Sequence, residues 1–222
     1  MSKLDRKTLA SLIDHTELRV DASYGDIRRL CLEASDHGFA SVVVYPVNVP
    51  LTARLLKDTP VKVTTVVGFP TGAFTIEGKA FEIRDAIAKG AQEIDFVINV
   101  GALKAGNHEL VRDEMQTMAR AAGNLVTKAI LETCYLSDDE KRAACRIATQ
   151  AGIRFVKTST GFGSHGATVE DVKLLHSAVG KDMGVKASGG IRTTRDALTM
   201  VDAGASRLGT SSGVAIVEGL AR

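Results

Sequence analysis

The chain alternates short runs of β-branched residues with longer amphipathic segments along almost its whole length. Each run is rich in Val or Ile, and several end in Gly, Pro or Thr, which is typical of β-strands. The eight predicted strands are residues 12–16, 41–46, 61–68, 93–99, 126–133, 154–160, 184–190 and 207–211. Continuous apolar stretches such as residues 42–44 are expected in a parallel sheet that is covered on both faces.

The segments between these runs have the periodicity and the end signals of helices. Within residues 76–89, one stripe carries Ile76, Ala80, Ile83 and Ile87. Ser137 and Glu140 form the pattern of a capping box, which predicts a helix that runs to about residue 150. Thr168 is the predicted N-cap of a further helix over residues 168–179.

Strict alternation of strands and helices predicts parallel strands joined by right-handed crossovers. Eight such units favour closure into a (β/α)8 TIM barrel. An open doubly wound sheet is the alternative, but no Gly-x-Gly-x-x-Gly motif follows the first strand, which weakens its dinucleotide-binding form. We therefore predict an α/β protein in which residues 1–222 form a single (β/α)8-barrel domain.

The composition argues against several classes of function. The formal net charge is +2 with both signs interleaved and no basic stripe, so we expect no nucleic-acid partner. No apolar run approaches the roughly 20 residues that cross a bilayer, and residues 1–10 lack a signal-peptide core. We therefore expect a cytoplasmic protein without a membrane partner. The spacing of Cys31, Cys134 and Cys145 matches neither a zinc site nor a disulfide framework.

Two lysines and an aspartate lie in predicted strands where packing alone would favour Val or Ile. Asp95 lies in the fourth strand, Lys157 in the sixth and Lys186 in the seventh. A charged side chain on a buried strand is unfavourable unless it is paired or used in chemistry. If all three point into the barrel, two ammonium groups and one carboxylate share a confined space.

Such a group of charges suits a nucleophilic amine. An ordinary lysine, with a pKa near ~10.4, is protonated at neutral pH, whereas burial and a second cation both lower that pKa. One lysine would then attack a carbonyl, the other would lower its pKa, and Asp95 would help to move protons. A phosphate clamp is one alternative. Another is a purely structural ion pair, for which two lysines against one acid are a poor design.

The last predicted strands end in glycine. Gly161 follows the sixth strand, Gly189 and Gly190 end the seventh, and residues 208–213 end the eighth and open a helix. Backbone N–H groups in such positions bind phosphate, and barrels often hold phosphate after strands seven and eight. The pattern predicts a phosphate site, unless the glycines serve only to form tight turns.

The same segments resemble the deoxyribose-phosphate aldolase family. The similarity is carried, in order along residues 8–215, by LIDHT at 12–16, EIDFVIN at 93–99, FVKTSTG at 155–161, GVKASGGIRT at 184–193 and GTSS at 209–212. The resemblance implies a class I aldolase, a lyase on a (β/α)8 barrel that needs no metal or other cofactor. Its reaction would be the reversible cleavage of 2-deoxy-D-ribose 5-phosphate to D-glyceraldehyde 3-phosphate and acetaldehyde through a lysine Schiff base, in deoxynucleoside breakdown.

By motif position, the resemblance implies a role for each charged residue. Lys157 would be the Schiff-base nucleophile, Lys186 would lower its pKa and relay protons, and Asp95 would donate and accept protons. The implied substrate- and phosphate-binding residues are Thr16, Thr160, Gly161, Gly189, Gly209, Ser211 and Ser212.

Members of the family are often homodimers, so a homodimer is one expectation. Two other functions stay open at this point. The first is another Schiff-base barrel aldolase with a different donor, and the second is a non-catalytic barrel that binds sugar phosphates. We expect His15, on the first strand, to pack or hydrogen-bond locally, with an approach to the pocket as the alternative. His165 lies on a loop above the sixth strand, and contact with substrate stays open for it.

Overall fold

The computed structural model describes residues 4–220, which contain a closed barrel of eight parallel strands. The strands are β1 Ile13–Glu17, β2 Ser41–Val44, β3 Lys62–Val67, β4 Glu93–Val97, β5 Val126–Ile130, β6 Phe155–Lys157, β7 Gly184–Ser188 and β8 Arg207–Thr210. Each pairs with the next, and β8 pairs with β1, so the barrel is closed. The predicted (β/α)8 barrel is confirmed, and the open sheet is wrong. The single domain over 1–222 stays a prediction, because residues 1–3 and 221–222 lie outside the described residues.

A short helix precedes β1, and the other helices follow the strands and cover the outside of the barrel. They are α1 Arg6–Ala10, α2 Tyr24–His37, α3 Val49–Leu55, α4 Ile76–Ala88, α5 Val100–Lys104, α6 His108–Ala122, α7 Asp138–Gln150, α8 Val169–Val179, α9 Thr194–Asp202 and α10 Gly213–Glu218. The predicted capping box is present, since Ser137 accepts a bond from the N–H of Glu140 while the Glu140 side chain accepts one from the N–H of Ser137. Thr168 caps α8 as predicted. In the described part of the chain, every helix is too short or too polar to cross a membrane.

All eight predicted strands form, and most end a few residues earlier than predicted. The fifth and the sixth strands each end three residues early, at Ile130 and at Lys157, and the sixth is also the shortest strand in the described residues. Backbone pairing continues at Thr158, whose N–H donates to the Lys186 carbonyl at 3.1 Å and whose carbonyl accepts the N–H of Thr133 at 2.9 Å. After it, side chains act as acceptors. The N–H of Ser188 donates to the Thr158 hydroxyl at 3.1 Å, and the N–H of Thr160 donates to the Glu132 carboxylate at 3.1 Å. Backbone pairing of this segment therefore ends at Thr158, one residue after the lysine.

Alternation along the strands separates an apolar outer face from a charged inner face. Val42, Val44, Ile94 and Phe96 are fully buried in the main core between the sheet and the helices. On the other face, Asp95 of β4 contacts a lysine of β7 across the barrel interior. The interior of this barrel is thus partly ionic, whereas layers of branched apolar side chains fill most such barrels.

A buried ion pair ties two outer helices to the end of β4. Lys79 on α4 and Glu114 on α6 are almost fully buried, with 2.5 Å between Nζ and Oε1. Lys79 also donates to the carbonyl of Val97 at 2.8 Å, and the N–H of Asn99 donates to Glu114 at 2.8 Å. Both partners therefore bond to the backbone that follows Asp95, and they hold this part of the barrel in place.

We expect Glu114→Leu to lower the free energy of unfolding by about 3–5 kcal/mol, because the Lys79 ammonium stays buried without a counter-charge. The double variant Lys79→Met/Glu114→Leu should recover most of that loss, since no isolated charge remains. As a control, Asp85→Ala removes the partly exposed pair between Lys89 and Asp85, which is worth about 0.3–0.5 kcal/mol. Urea unfolding measures all three variants. A loss for Glu114→Leu as small as that of the control would contradict this prediction.

Candidate active site

Asp95, Lys157 and Lys186 meet inside the barrel. The Nζ atoms of Lys157 and Lys186 lie 2.9 and 2.8 Å from the same oxygen, Oδ2 of Asp95. Asp95 and Lys186 are fully buried, and Lys157 is 4% exposed. The structure therefore brings together the three side chains that the strand pattern singled out, in the confined space that the pattern predicted.

Four further charged residues, which the sequence analysis missed, share this space: Asp14, Glu93, Lys128 and Arg207. Lys128 Nζ lies 2.6 Å from Glu93 and 2.9 Å from Oδ1 of Asp95. Lys186 Nζ lies 2.5 Å from Asp14, and Arg207 contacts both Asp14 and Glu93. Each of the four lies on a predicted strand. A charged residue on a predicted strand was therefore the signal that could have found them.

The predicted set of charges inside the barrel, two lysines and one acid, is therefore incomplete and wrong as a charge balance. The cluster holds three carboxylates (Asp14, Glu93 and Asp95) and four basic groups (Lys128, Lys157, Lys186 and Arg207). If one basic group is neutral, the charges balance. Because an unbalanced buried charge is unfavourable, the arrangement favours loss of one proton from the group that is least well paired.

Lys157 is that group. Burial lowers the pKa of Lys157 to about 8, an effect that Asp95 opposes and that Lys186 and Lys128 reinforce. About a tenth of the Lys157 side chains are then neutral at pH 7, against well under a thousandth for an ordinary lysine. The charge of Lys186 acts on Lys157 in the direction expected from the sequence.

Three charged groups near Lys157 stay ionised, namely Asp14, Asp95 and Lys128. Burial by itself would raise the pKa of Asp14 and of Asp95, but the surrounding cations hold both pKa values below the ordinary range. Burial would likewise lower the pKa of Lys128, yet the three carboxylates that it contacts raise it above the ordinary value. The neutral, nucleophilic form of the amine is therefore favoured at Lys157 and disfavoured at Lys128.

A cavity of about 810 Å³ lies at the carboxyl-terminal ends of the strands. Its wall includes Lys157, while Asp95 and Lys186 lie out of contact with it. Six of the seven predicted binding residues also line it: Thr16, Thr160, Gly161, Gly189, Gly209 and Ser211. Of the two lysines on β6 and β7, only Lys157 can thus meet a small molecule in this cavity.

Ser212 is the predicted binding residue that does not line the cavity. Its N–H donates to the Thr210 hydroxyl at 2.9 Å, so this backbone donor already has a partner. Two arginines that were not predicted do line the cavity, Arg19 and Arg192. Arg19 is paired with Glu17 and other acids. Arg192 is exposed and comes two residues after the pair Gly189–Gly190 that follows β7. This position next to the predicted phosphate-binding glycines could have indicated that Arg192 lines the cavity.

Gly209 has a structural reason to be glycine as well. A Cβ atom at this position would lie 2.9 Å from Cβ of Ser188 and 3.0 Å from Cε of Lys186. Gly189 has a φ of +83° and a Cβ there would lie 2.9 Å from Cα of Gly166. The glycines at the strand ends therefore both open the cavity and allow close packing, so the turn-only alternative accounts for part of the pattern.

Comparison with known proteins agrees with this geometry. Residues 3–219 match the family described as DeoC/LacD family aldolase. The chain belongs to this aldolase family. Deoxyribose-phosphate aldolase of Thermoanaerobacter sp. (strain X514) is 54% identical over 213 residues, which cover 95% of this chain and 96% of that protein. The enzyme of the same name from Clostridium perfringens (strain SM101 / Type A) is 52% identical over 217 residues, 97% of each protein.

A solved relative shares the fold. The tetrameric deoxyribose-phosphate aldolase of Aeropyrum pernix superposes with a TM-score of 0.91 at 37% identity, covering 96% of this chain and 91% of that one. Both the relatives and the barrel thus agree with the fold and the family that the sequence motifs predicted.

In this member of the DeoC/LacD family, neither His15 nor His165 lines the large cavity. His15 lies on the outer side of β1, where its Nε2 is 2.7 Å from Glu33 and its ring packs against Phe39. His165 is exposed, with Nδ1 3.0 Å from the carbonyl oxygen of Gly166. Both histidines therefore have local contacts that account for their positions.

The pKa of Lys157 predicts how its reactivity changes with pH. Reductive trapping by a small aldehyde should rise about tenfold per pH unit up to pH 8 and then level off, because the neutral amine is the reacting form. Added Nα-acetyl-lysine, with an ordinary pKa near ~10.4, corrects for the pH dependence of the reductant. Mass spectrometry of the Lys157 peptide measures the rate. A rate that rises in parallel with the reference up to pH 10 would contradict the lowered pKa.

Proposed function

We propose that this protein is a deoxyribose-phosphate aldolase, which cleaves 2-deoxy-D-ribose 5-phosphate reversibly to D-glyceraldehyde 3-phosphate and acetaldehyde. The observation that carries the proposal is the position of Lys157, a buried amine with a lowered pKa on the wall of the large cavity. Family membership and the names of the relatives support the same reaction.

In this proposal the neutral Nζ of Lys157 attacks the C1 carbonyl of the open-chain sugar. Loss of water then forms an iminium ion. The C2–C3 bond breaks, its electron pair moves into the iminium, and the C3 hydroxyl loses its proton to become the carbonyl of D-glyceraldehyde 3-phosphate. The remaining enamine takes a proton at C2, and water releases acetaldehyde and the free lysine.

These steps need a proton relay beside Lys157. Asp95 lies within hydrogen-bond distance of both lysines and could pass protons between them. Because the groups are in contact, their protons belong to the whole set rather than to single residues. We propose that Asp95 and Lys186 act as this relay, and that Lys186 also keeps the pKa of Lys157 low.

The phosphate of the substrate would bind along the cavity wall that follows the last strands. The backbone at Gly161, Gly189 and Gly209, together with Ser211, lines this part of the wall. Arg192 adds a guanidinium group that makes no salt bridge within the described residues, unlike Arg19. We propose that Arg192 pairs with the phosphate.

The homodimer and the cytoplasmic location stay predictions, and the relative from Aeropyrum pernix is tetrameric.

Borohydride reduction in the presence of acetaldehyde tests the proposed chemistry. We expect a stable N-ethyl adduct on Lys157, located by peptide mass mapping, because the reduced imine cannot hydrolyse. Lys157→Met should lose both the adduct and the turnover. An adduct on Lys186 alone, or on neither lysine, would reject the assignment. An adduct with a ketone donor and none with acetaldehyde would favour a different Schiff-base aldolase, and substrate binding without turnover would favour a non-catalytic barrel.

Arg192→Gln tests the proposed phosphate site. We expect kcat/KM for 2-deoxyribose 5-phosphate to fall about tenfold to a hundredfold, the value of a hydrogen bond to a charged group. Turnover of unphosphorylated 2-deoxyribose should change little. Arg195→Gln, which removes an exposed charge from α9, is the matched control. Equal losses on both sugars would show that Arg192 does not contact the phosphate.

A further inference from the structure

Glu132 is a buried carboxylate directly behind the wall of the large cavity. Its side chain is 4% exposed, and it has no cationic partner among the ion pairs of the described residues. Its φ of +53° makes it the one non-glycine residue at positive φ in residues 4–220. Non-glycine residues adopt this conformation rarely, and the surrounding contacts must compensate for its unfavourable energy.

Both oxygens of Glu132 are directed at Thr160. Oε1 accepts the backbone N–H of Thr160 at 3.1 Å, and Oε2 accepts its hydroxyl hydrogen. The Thr160 hydroxyl in turn accepts the N–H of Phe162 at 3.0 Å. A hydroxyl has one hydrogen and two lone pairs, so its hydrogen and one lone pair are already used. What Thr160 can still offer is a single acceptor position.

Glu132 acts on the large cavity only through Thr160. Thr160 lines that cavity and also a second cavity of about 260 Å³, whereas Glu132 lines only the second. A carboxylate has acceptors and no donor, so it holds the hydroxyl hydrogen of Thr160 away from the large cavity. A substrate group that meets Thr160 must therefore be a hydrogen-bond donor.

We propose that Glu132 is a positioning residue, which fixes the Thr160 hydroxyl as an acceptor and so makes the site select aldehydes that bear a free hydroxyl beside the carbonyl. The inference rests on the proposed aldolase function, because D-glyceraldehyde 3-phosphate carries such a hydroxyl at C2. Glu132 itself touches no substrate. It orients the group that recognises one.

Two acceptor aldehydes distinguish a donor from an acceptor at this position. Glycolaldehyde carries a hydroxyl, whereas methoxyacetaldehyde has an ether oxygen that accepts hydrogen bonds and cannot donate them. With acetaldehyde as the donor, kcat/KM is measured for each of the two acceptor aldehydes. The value for glycolaldehyde divided by the value for methoxyacetaldehyde is then compared between wild type and variants. Differences in size between the two aldehydes affect every protein alike, so the change in the ratio reports the hydrogen bond.

In Glu132→Gln, the amide NH2 can donate to the Thr160 hydroxyl and release its hydrogen toward the cavity. We expect the ratio to fall by about fivefold to tenfold, the value of one neutral hydrogen bond. Thr160→Val should lower it similarly, and Thr160→Ser should restore it. Thr133→Val is the matched control, because Thr133 is the next residue and its buried hydroxyl has no partner. Its ratio should equal that of the wild type.

A purely structural role gives a different result. If Glu132→Gln lowers kcat/KM for both aldehydes equally, or if Thr160→Val leaves the ratio unchanged, the proposal is overturned. Should Glu132→Gln fail to fold, Glu132→Asp carries the same expectation, because its shorter carboxylate withdraws from the hydroxyl. Borohydride trapping of acetaldehyde on Lys157 should be unchanged in the control variant Thr133→Val. Loss of that adduct in the wild type would instead reject the aldolase function.

Discussion

The rest of this structure depends on the hydrogen bonds that the Asp95 carboxylate accepts inside the barrel. They come from lysines on three successive strands, Lys128 on β5, Lys157 on β6 and Lys186 on β7. Moving such charges out of water is strongly unfavourable unless each finds a partner in good geometry. A closed parallel barrel meets this condition, since it points side chains from many strands at one axis. The candidate active site therefore exists only in the closed barrel, where strands β4 to β7 bring these side chains together.

The same cluster explains why one lysine differs from the others. Lys128 and Lys186 each contact two or more carboxylates at short distances, while Lys157 pairs with Asp95 alone. The excess positive charge is most easily removed there, at the group that also reaches the cavity. Stability of the core and reactivity of the amine thus have one cause, which is an uneven distribution of partners around the barrel axis.

The residues in and behind the cavity wall also differ in their roles. Gly189 and Gly209 allow close packing and leave backbone exposed to a ligand, so their presence alone does not distinguish a turn from a phosphate site. The charged and polar groups make that distinction. Arg192 brings a cation to this part of the wall, and Glu132 acts from behind by setting the direction of the Thr160 hydrogen bond. Recognition in this site therefore depends on residues beyond those in contact with substrate.

The sequence by itself determined the order of the strands and helices, the helix caps at Ser137 and Thr168, and three of the charged residues inside the barrel. Those features depend on neighbours a few residues apart, or on the period-two alternation of a strand. Tertiary structure decided the rest. Asp14 pairs with Arg207, 193 residues away, and the N–H of Ser212 donates to the Thr210 hydroxyl instead of reaching the cavity wall. Burial and Coulomb interactions depend on distances through space, and only closure of the barrel sets those distances.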